Sequence, residues 1–111
     1  MKHIHYTDVA AESVEVEGAK DVKIRWLITK DDGAKHFAMR LFEVQPGGCT
    51  PFHQHDWEHE VFIVAGFGEI RKKQGNESFK QGDVIFVAPE ELHQFVNTGE
   101  ELLQLICLIP Y

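Results

Sequence analysis

The chemistry in this chain is concentrated in its histidines. Three of the seven, His53, His55 and His59, fall within seven residues of one another, in the stretch Pro51-Phe52-His53-Gln54-His55-Asp56-Trp57-Glu58-His59-Glu60. A neutral imidazole offers one lone pair to a divalent first-row metal, and several of them converging make a good ligand set. In an extended segment residues of equal parity share a face, so His53 and His55 point the same way. His59 has the same parity and joins them if the intervening turn keeps the register, while Glu60 then faces away. A fourth histidine, His93, follows Pro89-Glu90-Glu91-Leu92 on a later segment, where an adjacent strand can bring it opposite the first three. A lone histidine is usually a satisfied polar residue; this many at this spacing point to a metal. His3 and His5 form another His-x-His pair with no other motif around it, and His36 reads as a surface or interface residue.

The elements that must position these side chains read as short strands between turns. Val14 and Val16 alternate with charged residues. Val22 to Thr29 is rich in β-branched and aromatic residues and ends at Lys30-Asp31-Asp32-Gly33, where Asp-Gly marks a tight turn. Phe37 to Val44 is stopped by Gln45-Pro46-Gly47-Gly48. Strands follow over residues 61–65, 69–73, 77–80, 84–88, 92–96 and 102–109, each bounded by Gly, Pro or Asn. About ten strands at regular spacing predict an all-β sandwich or barrel. Thr7 to Ser13 has room for one short helix. Val61-Phe62-Ile63-Val64 is apolar on both faces; one face fills the barrel, and the other predicts a homodimer contact.

The whole-chain properties narrow the field. A length of 111 residues fits one domain, and folding should bury roughly two thirds of the unfolded surface. The formal net charge of −7, with Arg71-Lys72-Lys73 as the one basic cluster, argues against nucleic acid and anionic membranes as partners. Two cysteines, Cys49 and Cys107, are too few for a disulfide scaffold, and the N-terminus has no apolar run for a signal peptide, which predicts a cytoplasmic protein. The stretch around Leu102 to Ile109 is far too short to span a bilayer.

Gly47, His53 and His55 resemble the first motif of the cupins, G(X)5HXH(X)3,4E(X)6G. Its glutamate slot falls at His59 or Glu60 depending on the spacer, and its closing glycine at Gly66, one residue early when counted from Glu60. Gly82, Pro89, His93 and Asn97 resemble the second motif, with Glu91 where a glycine belongs. The run His-x-His-x-Trp-Glu-His-Glu-Val-Phe is similar to small monocupins in which histidine replaces the glutamate ligand. The resemblance, from Lys23 to Pro110, implies a jelly-roll barrel over about residues 23–110 behind an N-terminal strand segment, residues 1–22, in one domain. It also implies one divalent ion held by His53, His55, His59 and His93, manganese or iron foremost, with zinc, nickel, copper and cobalt open.

Pocket walls follow from parity and the resemblance together. Arg40, Phe42 and Val44 share one strand face, as do Leu103, Leu105, Cys107 and Ile109. The resemblance turns Arg40, Leu105 and Cys107 towards the metal; the plainer alternatives are a surface salt bridge for Arg40 and a small core residue for Cys107. Trp57 reads as packing. Glu58 and Glu60, by parity, point away, so no general base is evident. The expectation is therefore a metal-dependent oxygenase-type oxidoreductase on a small organic substrate. The alternatives are a non-catalytic sensor or store of a small chelating ligand, and a sugar isomerase.

Overall fold

The computed structural model describes residues 1–111 and is all-β. Nine strands form in chain order: β1 (Glu12–Ser13), β2 (Lys20–Ile28), β3 (Phe37–Cys49), β4 (His59–Ala65), β5 (Phe67–Lys72), β6 (Asn76–Lys80), β7 (Val84–Val87), β8 (His93–Asn97) and β9 (Leu103–Pro110). They make one curled sheet in the order β6-β5-β8-β3-β9-β4-β7, with β2 also paired to β3 and β1 paired to β2. Every pairing is antiparallel. β3 closes the curl: Phe37 to Val44 run beside β9, and Cys49 pairs with Val96 of β8.

The period-two pattern explains the interior. On β4, His59, Val61 and Ile63 are buried and the residues between them exposed; on β9, Leu103, Leu105 and Cys107 turn inwards. All of these but His59 join Val22, Val44 and Phe95 in one apolar core. Asn97 is 1% exposed among them. Its Nδ2 donates to the Val44 and Glu101 carbonyls, both at 2.8 Å, and its Oδ1 accepts from Gly99 N at 2.9 Å. The asparagine of the second motif thus pins the turn after β8 to β3.

Four local expectations need correction. The chain does not leave the sheet at Gln45. β3 continues to Cys49, and the register to β2 jumps from Val22↔Val44 to Lys20↔Cys49, so residues 45–48 bulge outwards. Pro46 on such a bulge owes no ladder hydrogen bond. A side chain at Gly48 would meet Lys20 O at 2.6 Å, so the bulge closes only on a glycine. No helix forms over Thr7 to Ser13. Only a single 3-10 turn, Tyr6–Asp8, is made, capped by His5, because the following residues pair with β2 instead. Val14 and Val16 lie outside any strand, although Val14 packs against the core. The Asp-Gly turn is a capped 3-10 turn, Lys30–Asp32, rather than a two-residue hairpin, with Gly33 left-handed at φ 94°.

The outer face of β4, β7 and β9 is apolar. Phe62, Val84, Ile85, Phe86, Ile106 and Leu108 line a shallow groove there, with Phe86 59% and Val84 77% exposed. This is the surface a second copy would cover in the expected homodimer. Light scattering should give twice the chain mass, falling to the chain mass for Phe62→Asp with Phe86→Glu; a monomeric wild type would refute the dimer. Inside the barrel, Asn97→Ala should lower unfolding stability by about 2–3 kcal/mol, read by chemical denaturation, because it strands buried carbonyls.

Candidate metal centre

His59 opens β4 and His93 opens β8, so both are buried and fixed by sheet backbone. His53 and His55 sit on the connection between β3 and β4, which is not the regular strand that parity assumed. It is nevertheless laid along β8 by a ladder of its own. His53 N donates to His93 O at 3.1 Å and His93 N to His53 O at 3.0 Å. Thr50 N donates to Phe95 O at 3.0 Å, and Phe95 N returns a bond to Thr50 Oγ1 at 2.9 Å. Glu90 N donates to His55 O at 2.6 Å.

The four rings meet at the mouth of the barrel. Ring centroids lie 5.0 Å apart for His53–His55, 5.1 Å for His53–His93 and 5.3 Å for His55–His93. The ligand atoms of these three all lie within 4.8 Å of one another. Metal–imidazole bonds of about 2.1 Å span such a group after small ring rotations. His59 adjoins the group, its centroid 4.3 Å from His55 and 5.3 Å from His93, and its Nε2 touches His55 Nε2. Glu60 faces the outer groove, so the ambiguous motif slot is filled on the inside by His59.

Two of the histidines are already in ligating form. His55 Nδ1 lies 2.9 Å from Trp57 O and His93 Nδ1 2.7 Å from Glu91 O. A carbonyl only accepts, so each Nδ1 carries the proton and each Nε2 presents its lone pair. These backbone partners were invisible in the sequence. Trp57 does pack, stacked on the His55 ring at 4.3 Å and 5°.

The profile of the cupin domain matches residues 40–109. The chain belongs to the cupin family. The cupin is 31% identical over 96 residues to an oxalate-binding protein of Thermotoga maritima, covering 83% of this chain and 78% of the relative. It superposes on the polyketide cyclase RemF from Streptomyces resistomycificus with a TM-score of 0.93 and 38% identity, covering 99% of this chain and 79% of that one. A predicted oxalate decarboxylase from Thermotoga maritima gives a TM-score of 0.86 at 25% identity, with 98% of each chain covered.

Behind His59 in this cupin lies a polar pair. Arg40 and Cys107 face each other across β3 and β9. Arg40 Nη2 donates to Cys107 Sγ at 3.0 Å and lies 3.1 Å from His59 Nδ1, which is itself 2.8 Å from Cys107 Sγ. Arg40 makes none of the chain's ion pairs, its buried Nε has no partner, and its guanidinium lies 5.0 Å from the Phe42 ring and 5.6 Å from Trp26. Cys107 is buried and unpaired, and Leu105, opposite Phe42, belongs to the core beneath. His5 is occupied by Thr7 at the N-terminal turn, and His36 is exposed.

Burial, reinforced by positive neighbours, keeps His53, His59 and His93 neutral. Desolvation first, then His93, His55 and Arg40, lowers the His53 pKa to about 4; desolvation and then Arg40 lower that of His59 to about 3. Burial lowers His93 as well, against the bond to Glu91 O. Burial pushes the Cys107 thiol up, opposed by Arg40. Unfolded histidines take up protons near pH 6.5, so between there and the folded values the unfolded state binds more protons. Stability is then full above about pH 6.5 and lost as pH falls. The thermal midpoint of the metal-free cupin should drop on acidification from about pH 7 to about pH 4, and less steeply in His59→Gln. Equal slopes would show that His59 titrates normally.

Proposed function

We propose that this cupin is a mononuclear divalent-metal enzyme acting on a small organic substrate that binds through oxygen atoms. His53, His55 and His93 would hold the ion with His59 as fourth ligand, and manganese or iron leads the candidates. The observation that carries this reading is the group of His53, His55 and His93, with His59 against it and no carboxylate turned into it, beside the half-buried Arg40 guanidinium, which has no ion-pair partner. Such a donor set compensates none of a divalent ion's charge, and Arg40 adds another positive charge. An anionic, chelating ligand is what the field favours. Phe42 and Trp57 supply apolar surface beside the polar group, the usual composition of a small-molecule site.

A bound divalent ion would supply a Lewis-acid centre, and manganese or iron a redox couple as well. The chain's own residues contribute orientation and water exclusion. Glu60 lies on the outer face, so acid–base catalysis by a carboxylate has no support, and oxygenase-type chemistry is the reading preferred. A second reading, ring closure of a polyketone without oxidation, is favoured by the likeness to a polyketide cyclase along nearly the whole chain. Binding of a dicarboxylate without turnover draws on the likeness to the oxalate-binding protein.

Elemental analysis of the purified protein should find about one manganese or iron per chain. His59→Ala should weaken metal affinity by at least about ten-fold, and Glu60→Ala should leave it within about two-fold. Absence of stoichiometric metal after reconstitution would sink the proposal. With metal present, oxygen uptake on adding an enolisable substrate supports the oxygenase; product formed equally without oxygen supports the cyclase; a spectral shift without product supports the binding module.

A further inference from the structure

The histidines of the cluster differ in what holds their second nitrogen. His55 and His93 each face a carbonyl, a permanent acceptor, which sets their tautomer for ligation whatever else happens. His59 Nδ1 instead faces Arg40, a permanent donor, and Cys107, whose sulfur can accept. If Nδ1 accepts from Arg40, the ring proton must sit on Nε2, and His59 has no lone pair to give to a metal. That arrangement is also satisfied at its other end. His59 Nε2–H points at His55 Nε2, whose lone pair accepts it, and His55 Nδ1–H passes on to Trp57 O. In that tautomer Arg40, His59, His55 and the Trp57 carbonyl form one donor-to-acceptor chain that needs no ion.

We infer that Arg40 and Cys107 together decide whether His59 is available as a ligand, by choosing which of its ring nitrogens carries the proton. Without metal, Arg40 holds His59 in the Nε2–H form. On loading, one proton leaves Nε2 to solvent and one is taken up at Nδ1, with no net gain or loss. The new Nδ1–H donates to Cys107 Sγ, 2.8 Å away, and Arg40 keeps its bond to the same sulfur at 3.0 Å. Arg40 is fit for the task because the Phe42 and Trp26 rings flank its guanidinium and no carboxylate draws it elsewhere. Both are positioning residues: Arg40 opposes the fourth ligand and Cys107 supports it. The inference rests on the four-histidine reading above, but its first test does not need metal.

The experiment is a long-range proton–nitrogen correlation spectrum of the full chain labelled with 15N-histidine, first metal-free and then with zinc, which is diamagnetic. Metal-free wild type should show His55 and His93 protonated at Nδ1 and His59 at Nε2. Arg40→Met should move the His59 proton to Nδ1 before any metal is added. A wild-type His59 already protonated at Nδ1, or an unchanged tautomer in Arg40→Met, overturns the inference. Zinc affinity, measured against a competing chelator, should rise about ten-fold in Arg40→Met and fall about ten-fold in Cys107→Ala, with Cys107→Ser recovering most of the loss. Equal affinities in Arg40→Met and wild type also overturn it. Failure of zinc to bind any variant sinks the four-histidine reading instead, while the metal-free spectra still decide what Arg40 does.

Discussion

The site depends on the reciprocal pair of backbone hydrogen bonds between His53 and His93. These two residues lie forty positions apart and belong to different motifs. The bridge places a loop histidine beside a strand histidine, and it does so through main chain, so it does not depend on either imidazole. Thr50 and Glu90 extend the ladder on both sides. A loop held in this way can carry ligands with the precision of a strand, which explains why the irregular segment still delivers the geometry that simple alternation predicts.

Bringing imidazoles together in a partly desolvated mouth has an electrostatic consequence. His53, His59 and His93 resist protonation because they are desolvated and because their neighbours, Arg40 above all for His59, are positive or become so. The same arrangement favours a ligand cluster and disfavours a cluster of cations. With Glu60 turned to the opposite face, nothing inside offsets the positive charge that an ion would bring.

The sheet has a second, unrelated constraint on its other side. The parity that buries His59, Val61 and Ile63 also exposes Phe62 and Val64, and β7 adds Val84 and Phe86 beside them. β7 is an edge strand, where unpaired backbone and apolar side chains coincide. The histidine cluster and the apolar groove thus share β4 back to back.

Much of this was legible from the sequence because it is local. Alternation marks the strands, glycine and proline mark the turns, and equal parity groups His53, His55 and His59 while excluding Glu60. The bulge at residues 45–48 was misread as a strand end, since proline and glycines signal a turn whether or not pairing resumes beyond them. What only the tertiary structure decided was every relation across strands. It set the bridge from His53 to His93, the carbonyls of Trp57 and Glu91 behind two rings, and the meeting of Arg40, His59 and Cys107 from β3, β4 and β9. Those contacts are set by long-range register between strands, and register depends on how the whole barrel packs, which no local pattern of residues specifies.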